Sequence, residues 1–256
     1  MTLSAARPLG VLRALLSRYW AVLLLLLTWQ LGVAISGVNR IVLPRPLDVL
    51  RDIAAEPRLF AVNASLTLLL ATGGLLLGMA FGTAVAILAW SSRLLGGLLA
   101  PLTILVSSVP VVTLIPILAR LFGYGAGTTL AIVCLITALP AYVFTQAGLA
   151  STSDARRHLA TAFGASPWRR FVWVILPGAL PGWTVGLRLA APPAILSAMV
   201  AEFLIGTAGL GYLLRSAAAE LRTDRAFATS LIATVLSIAS FALAAGAERR
   251  VLARWR

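Results

Sequence analysis

Charged residues are so sparse along the chain that the gaps between them mark its elements. No charge falls between Tyr19 and Asn39, Leu59 and Ser92, Leu94 and Ala119, Leu121 and Ser153, or Ala226 and Ala247. A bilayer core needs about 20 apolar residues per helix and penalises each central charge by several kcal/mol, so every gap predicts a transmembrane helix. A further apolar segment from Leu180 to Ile205 contains Arg188 and Glu202 and brings the expected spans to six.

The connections carry their own patterns. Pro44 and Pro46 enforce extended backbone after the first span. Leu47, Leu50, Ile53 and Ala54 then share one helical face while Asp48, Arg51, Asp52 and Glu56 share the other, which reads either as a helix lying on the outer membrane surface or as a connector. Leu210, Leu213, Leu214, Ala217, Ala218 and Leu221 repeat at helical spacing and predict a second short amphipathic helix before the last span.

Within the spans, Gly74, Gly78 and Gly82 recur at four-residue spacing, which lets a neighbouring helix approach closely. The third span holds Ser107, Ser108, Pro110, Thr113 and Pro116. Prolines and hydroxyls together suit a wall of a solute pathway, and an ordinary proline kink accounts for them equally. Pro140 predicts a kink in the fourth span.

Composition narrows the class. Of 256 residues, 60% are hydrophobic and 11% charged, against about 25% charged in soluble domains, so the chain is an all-α polytopic membrane protein of about six helices. The inner segments hold twelve arginines against Asp154 and Glu248, the outer connections eight against five acidic residues, and this bias expects both termini in the cytoplasm. The net charge of +13 is spread over membrane-flanking loops rather than one soluble face, which argues against nucleic acid as a partner.

All 21 basic residues are arginine, so a phosphate-binding loop with its lysine is excluded. Cys134 and His158 are each the sole residue of their type, which leaves no intrachain disulfide and no Cys/His metal site. The first span follows arginines and ends in small residues, as a signal peptide does. The run from Tyr19 to Ser36 is long for one, and its removal would leave five spans, so it is read as uncut.

The stretch SDARRHLATAFGASPWRRFVWVILPG, from Ser153 to Gly178, is polar and then apolar. Ser153 can cap a helix with Asp154 in its first turn, Gly164 suits its end, and Ser166 can cap a second helix with Pro167 at its first position. Two short helices thus meet at a Gly-Ala-Ser turn and continue into the fifth span through Leu176 and Pro177. A DNA-reading motif has this outline, but FVWVIL is too apolar to serve as its recognition helix.

These residues resemble the permeases of bacterial ATP-binding-cassette importers, whose cytoplasmic loop reads EAA, three residues, Gly, nine residues, I-x-LP. Gly164, Val174, Leu176, Pro177 and Ala160 match that pattern; His158 stands in place of its glutamate and Leu159 in place of its first alanine. LPRP at 43–46, VPVVTLIPILARLFGYG at 109–125, LPGALPGWTVGLRLA at 176–190 and VAEFLIGTAGLGYLL at 200–214 extend the resemblance to the nitrate, sulfonate and taurine branch.

The resemblance implies a type I importer-like permease fold, with residues 1–256 as a single membrane domain in the bacterial inner membrane and 151–177 as its cytoplasmic coupling loop. It implies a non-catalytic homodimer that works with two ATPase subunits, which bind the ATP and Mg, and with an extracytoplasmic substrate-binding protein. Asp154, Arg156, Arg157, His158, Ala160, Gly164, Ser166, Pro167, Arg169 and Arg170 would form the coupling element, with Leu176 and Pro177 as hinge. The four arginines would meet acidic ATPase surface or lipid headgroups. The substrate expected is a small anion such as a sulfonate, taurine or nitrate.

Arg188 and Glu202 sit roughly 21 Å apart on one straight helix and cannot pair there. They join Ser107, Ser108, Pro110, Thr113 and Pro116 as pathway candidates. Arg188 suits the steering of an anion, and snorkelling to the interface is the structural alternative. Pro192-Pro193 departs from the family pattern and implies either a hinge or a different gating geometry. Two other classes fit less well. An ion-driven carrier should show inverted repeats and more intramembrane carboxylates, and a membrane-embedded enzyme needs a nucleophile with a base at depth.

Overall fold

The computed structural model describes residues 6–39 and 41–254, and within them the side chains of 6–19 and of Ala100, Ile104, Val106, Ser107, Asp154, Arg156 and Arg157 fall outside the description. Arg40 and Arg256, two of the arginines behind the charge bias, lie outside the described residues. The described elements are helices: α1 (Ala6–Ile35), α2 (Pro46–Ala55), α3 (Pro57–Ser91), α4 (Arg93–Ser108), α5 (Val111–Phe122), α6 (Ala126–Ala150), α7 (Asp154–Ala162), α8 (Pro167–Arg170), α9 (Leu176–Ile205), α10 (Leu210–Ala219) and α11 (Thr223–Ala253). They fall into two compact units, one of α1, α2 and residues 217–228, the other of residues 58–216 and 229 onward.

Among the described residues, four helices are long and apolar enough to cross a membrane: α3, α6, the 39-residue run Pro167–Ile205 that contains α8 and α9, and α11. Trp20–Ile35, Arg93–Thr103 and Val111–Phe122 are shorter apolar helices. The expected third span is therefore two helices, broken at Val109-Pro110 rather than kinked between its prolines. Pro110 has extended backbone and sits at the N-cap of α5, while Pro116 lies inside that helix. The missing proline N–H and the bias of the preceding residue toward extended backbone make this the natural break.

In the larger unit, α6 packs between α3 and α9, and small residues set the spacing. A Cβ on Gly74 would stand 2.5 Å from the Val133 Cβ, and one on Gly78 2.6 Å from the Cys134 carbonyl, so α6 is the partner of the glycine row. On its other side, a Cβ on Gly182 would stand 2.6 Å from the Phe144 carbonyl and one on Gly148 2.8 Å from that of Ala179. Ala71, Val133, Ala194, Ile195 and Ala198 form the core where the three helices meet.

In the smaller unit, Trp29 stacks obliquely on Phe227 at 5.6 Å, and the Leu47 N–H donates to the Gln30 side chain. The helix α2 forms as expected but turns differently. Val49 and Asp52 are its buried residues, whereas Leu47 and Leu50 are exposed. Asp52, expected to face water with Asp48 and Glu56, is instead buried in an ion-pair cluster with Arg222 and Arg225. The second short helix, α10, forms as expected and buries Leu210, Leu213 and Ala217, but Ala218 is exposed and Leu221 lies beyond its end, exposed as well.

Candidate functional site

The segment between α6 and α9 is built by its caps. At the end of α7 the Ala165 N–H donates to the Ala160 carbonyl at 3.0 Å and the Gly164 N–H to that of Thr161 at 2.9 Å, the paired pattern of a Schellman ending. Gly164 adopts φ +71° to close it, a conformation that costs an L side chain roughly 1–2 kcal/mol. Ser166 then caps α8 through its hydroxyl, which accepts from the Arg169 N–H, with Pro167 at the first position. Ser153 occupies the N-cap of α7 without making the side-chain hydrogen bond expected of it. The Arg170 guanidinium reaches back 2.8 Å to the Thr161 hydroxyl and ties the two short helices together.

From α8 the chain never leaves helical conformation. Phe171–Ile175 forms a π-turn, in which the Leu176 N–H donates to the Phe171 carbonyl five residues back. Pro177 has no N–H for the Trp173 carbonyl, and the wider turn accommodates that gap. Leu176 and Pro177 therefore lie inside one helix running from Pro167 to Ile205. His158 and Leu159 are exposed on α7, as are Phe163 just after it and Trp168 on α8. Asp154, Arg156 and Arg157 open α7, and their side chains lie outside the described residues.

The pathway candidates scatter. Ser108 ends α4, Pro110 caps α5, the Thr113 hydroxyl donates to the Pro110 carbonyl at 2.7 Å, and Pro116 is exposed on α5. The side chain of Ser107 lies outside the described residues. None of the described ones lines the apolar hollow of about 230 Å³ that Val111, Ile115, Ile132 and Val200 form around Pro193.

Arg188 and Glu202 stay apart on α9, and each has its own partner. The Arg188 Nε lies 3.0 Å from Oε2 of Glu248 on α11, and its guanidinium stands 5.9 Å from the Phe241 ring centre. Glu202 is 1% exposed. Its Oε2 accepts from the Thr67 hydroxyl at 2.7 Å and from the Gly211 N–H at 3.0 Å. The same helix start takes two more acceptors from α3, Asn63 for the Gly209 N–H and Thr67 for that of Leu210. A buried carboxylate is tolerated because the Gly211 N–H and the positive dipole end of α10 point at it. Gly209, at φ +97°, and Gly206 make the room, since a Cβ on either would press against Glu202.

A third charged cluster lies in the smaller unit. Asp52 accepts from Arg222 at 2.9 Å and from Arg225 at 3.2 Å, and Arg225 also pairs with Glu56. Neither this cluster nor the Glu248 partner of Arg188 was foreseen from the sequence. The one available signal was that Arg188 and Glu248 both lie near the same membrane face of antiparallel spans.

A chain of long apolar helices, one of which runs without interruption out of a capped pair of short helices, has the make-up of a polytopic membrane protein. The chain belongs to the family of binding-protein-dependent transport system inner membrane components, which matches residues 74–253. It is 34% identical to a probable ABC transporter permease protein of Haemophilus influenzae over 84% of this chain and 87% of that protein. It is 31% identical to the formylaminopyrimidine transport permease protein of Halalkalibacterium halodurans, over 91% and 93%, and 30% identical to the taurine transport system permease protein of Escherichia coli, over 90% and 86%. The fold matches an inward-facing methionine ABC transporter with a TM-score of 0.63 at 17% identity, covering 72% of this chain and 92% of that one. It also matches an amino acid ABC transporter with a TM-score of 0.65 at 16% identity, covering 78% and 97%. The resemblance to ABC importer permeases of the nitrate, sulfonate and taurine branch thus holds.

Proposed function

We propose that this chain is the membrane-spanning, non-catalytic subunit of an ATP-driven importer of the bacterial inner membrane. It crosses six times, counting α1 and the broken pair α4–α5 with the four long helices, and keeps both termini in the cytoplasm. Two copies pair on two separate ATPase subunits, which bind the ATP and Mg, and receive a small solute from an extracytoplasmic binding protein. The expectation of an anion such as taurine, another sulfonate or nitrate draws support from the relatives named for taurine and for aliphatic sulfonates.

The observation that carries this reading is the continuous helix from Pro167 to Ile205, preceded by the Gly164 reversal. A force applied to α7 passes through the Arg170–Thr161 tie into a helix that crosses the membrane, so closure of the ATPases can tilt α9 directly. Purification of the tagged chain from its host in mild detergent tests the reading. Recovery of an ATP-hydrolysing partner supports it, and a chain that purifies alone and transports under an ion gradient overturns it.

A further inference from the structure

One face at the start of the long helical run is turned toward the end of α3. Pro167, Arg170, Phe171 and Val174 follow one another at helical spacing and, with Ile175 and Trp90, line a hollow of about 290 Å³. The Trp90 and Phe171 ring centres stand 5.4 Å apart. Trp90 falls at the end of the charge-free stretch 59–92, just before Arg93, and Phe171 opens the apolar stretch that leads into α9. The hollow thus lies where the apolar lengths of two helices of spanning size end, the level at which tryptophan is enriched. Trp168 and Trp173, on the same stretch, are exposed.

One lining residue is charged. The Arg170 guanidinium gives an N–H to the Thr161 hydroxyl at 2.8 Å, while its Nε is buried without a hydrogen-bond partner. The chain offers it little to pair with. From Arg58 to Ala201 the sole acidic residue is Asp154, which opens α7 about two helical turns before Thr161. A guanidinium with a spare donor in an apolar hollow is short of a counter-charge, and a phosphate fits its fork. Arg93 and Arg169 are exposed and close in the chain to lining residues, and their charge favours a net anion over a zwitterion.

We propose that the hollow holds the headgroup of an anionic phospholipid. Its phosphate sits on the Arg170 guanidinium, and its glycerol and upper chain carbons lie against Trp90, Phe171 and Val174. The lipid bridges the end of α3 and the helix that enters α9, and it leaves the exposed residues of α7 free for a protein partner.

The test uses the full-length chain, purified in mild detergent with the subunits that accompany it. It is titrated with phosphatidylglycerol or with phosphatidylcholine of the same acyl chains, and bound lipid is counted by native mass spectrometry. Phosphatidylglycerol is expected to bind in preference, and Arg170→Gln to weaken that binding by about tenfold or more. Arg169→Gln removes the same charge one residue away, and Thr161→Ala removes the tie but keeps the guanidinium; both are expected to bind as the unaltered chain does. Equal binding of the two lipids, or a control that loses as much as Arg170→Gln, overturns the inference. So does displacement of the phosphatidylglycerol by inorganic phosphate, which would make this a site for free anions. An Arg170→Gln complex that sheds an ATPase yet keeps its lipid also overturns it and assigns the residue to docking. Should Arg170→Gln fail to assemble, the comparison of lipids and the phosphate competition on the unaltered chain decide.

Discussion

Arg188 on α9 and Glu248 on α11 meet at 3.0 Å, so the one basic residue within the apolar segment 180–205 is matched by a carboxylate just past the charge-free stretch 226–247. Replacing either partner alone leaves the other poorly solvated. Arg188→Gln and Glu248→Gln are each expected to cost about 2 kcal/mol, less than the roughly 3–5 kcal/mol of a fully buried pair because Arg188 is a third exposed. The double variant should recover most of that loss in detergent unfolding. Additive losses would show that the two residues act independently.

Glu202 organises the start of α10, and its removal should be felt there. Glu202→Ala leaves the Thr67 hydroxyl and the Gly211 N–H without their acceptor, at about 1–3 kcal/mol for each orphaned group. Glu202→Gln keeps an acceptor oxygen and should cost clearly less. Hydrogen exchange at Leu210 and Gly211 reads the difference, with faster exchange expected in Glu202→Ala.

Asp52 serves both Arg222 and Arg225 and is 7% exposed. Asp52→Asn should lower the unfolding temperature by an amount that barely changes between about 0.1 M and about 1 M salt, because buried pairs are screened little. A loss that vanishes at high salt would place the cluster in water.

Gly164 should tolerate no β-branched side chain. A Cβ there meets nothing within 4 Å, so any penalty comes from φ +71° rather than from a clash. Gly164→Val should therefore insert and fold yet lower transport and transport-linked ATP hydrolysis severalfold, with Gly164→Asn milder because asparagine tolerates left-handed backbone. Wild-type transport by Gly164→Val would remove the lever from the mechanism.

The sequence made legible whatever depends on local rules. The apolar gaps became helices, the glycine row of α3 found a close neighbour, and Gly164, Ser166 and Pro167 took the positions their backbone preferences dictate. What depends on which helices lie side by side was hidden. Nothing within α9 shows that Arg188 faces Glu248, or that the glycines of residues 206–211 are small because Glu202 lies beneath them. Asp52 looked like a solvated charge because helical periodicity sorts polar from apolar and is blind to arginines supplied from the other end of the chain.

The most direct test of the account places a cysteine at the exposed Phe163, beside the Gly164 reversal, in a Cys134→Ser background. The purified complex is then treated with a short photoactivatable maleimide, and the adducts are identified by mass spectrometry. A cross-link to an ATPase chain is expected, with a yield that changes when ATP is bound. Adducts with lipid or with a second copy of this chain, and none with an ATPase, would contradict the assignment of residues 154–170 as the coupling element.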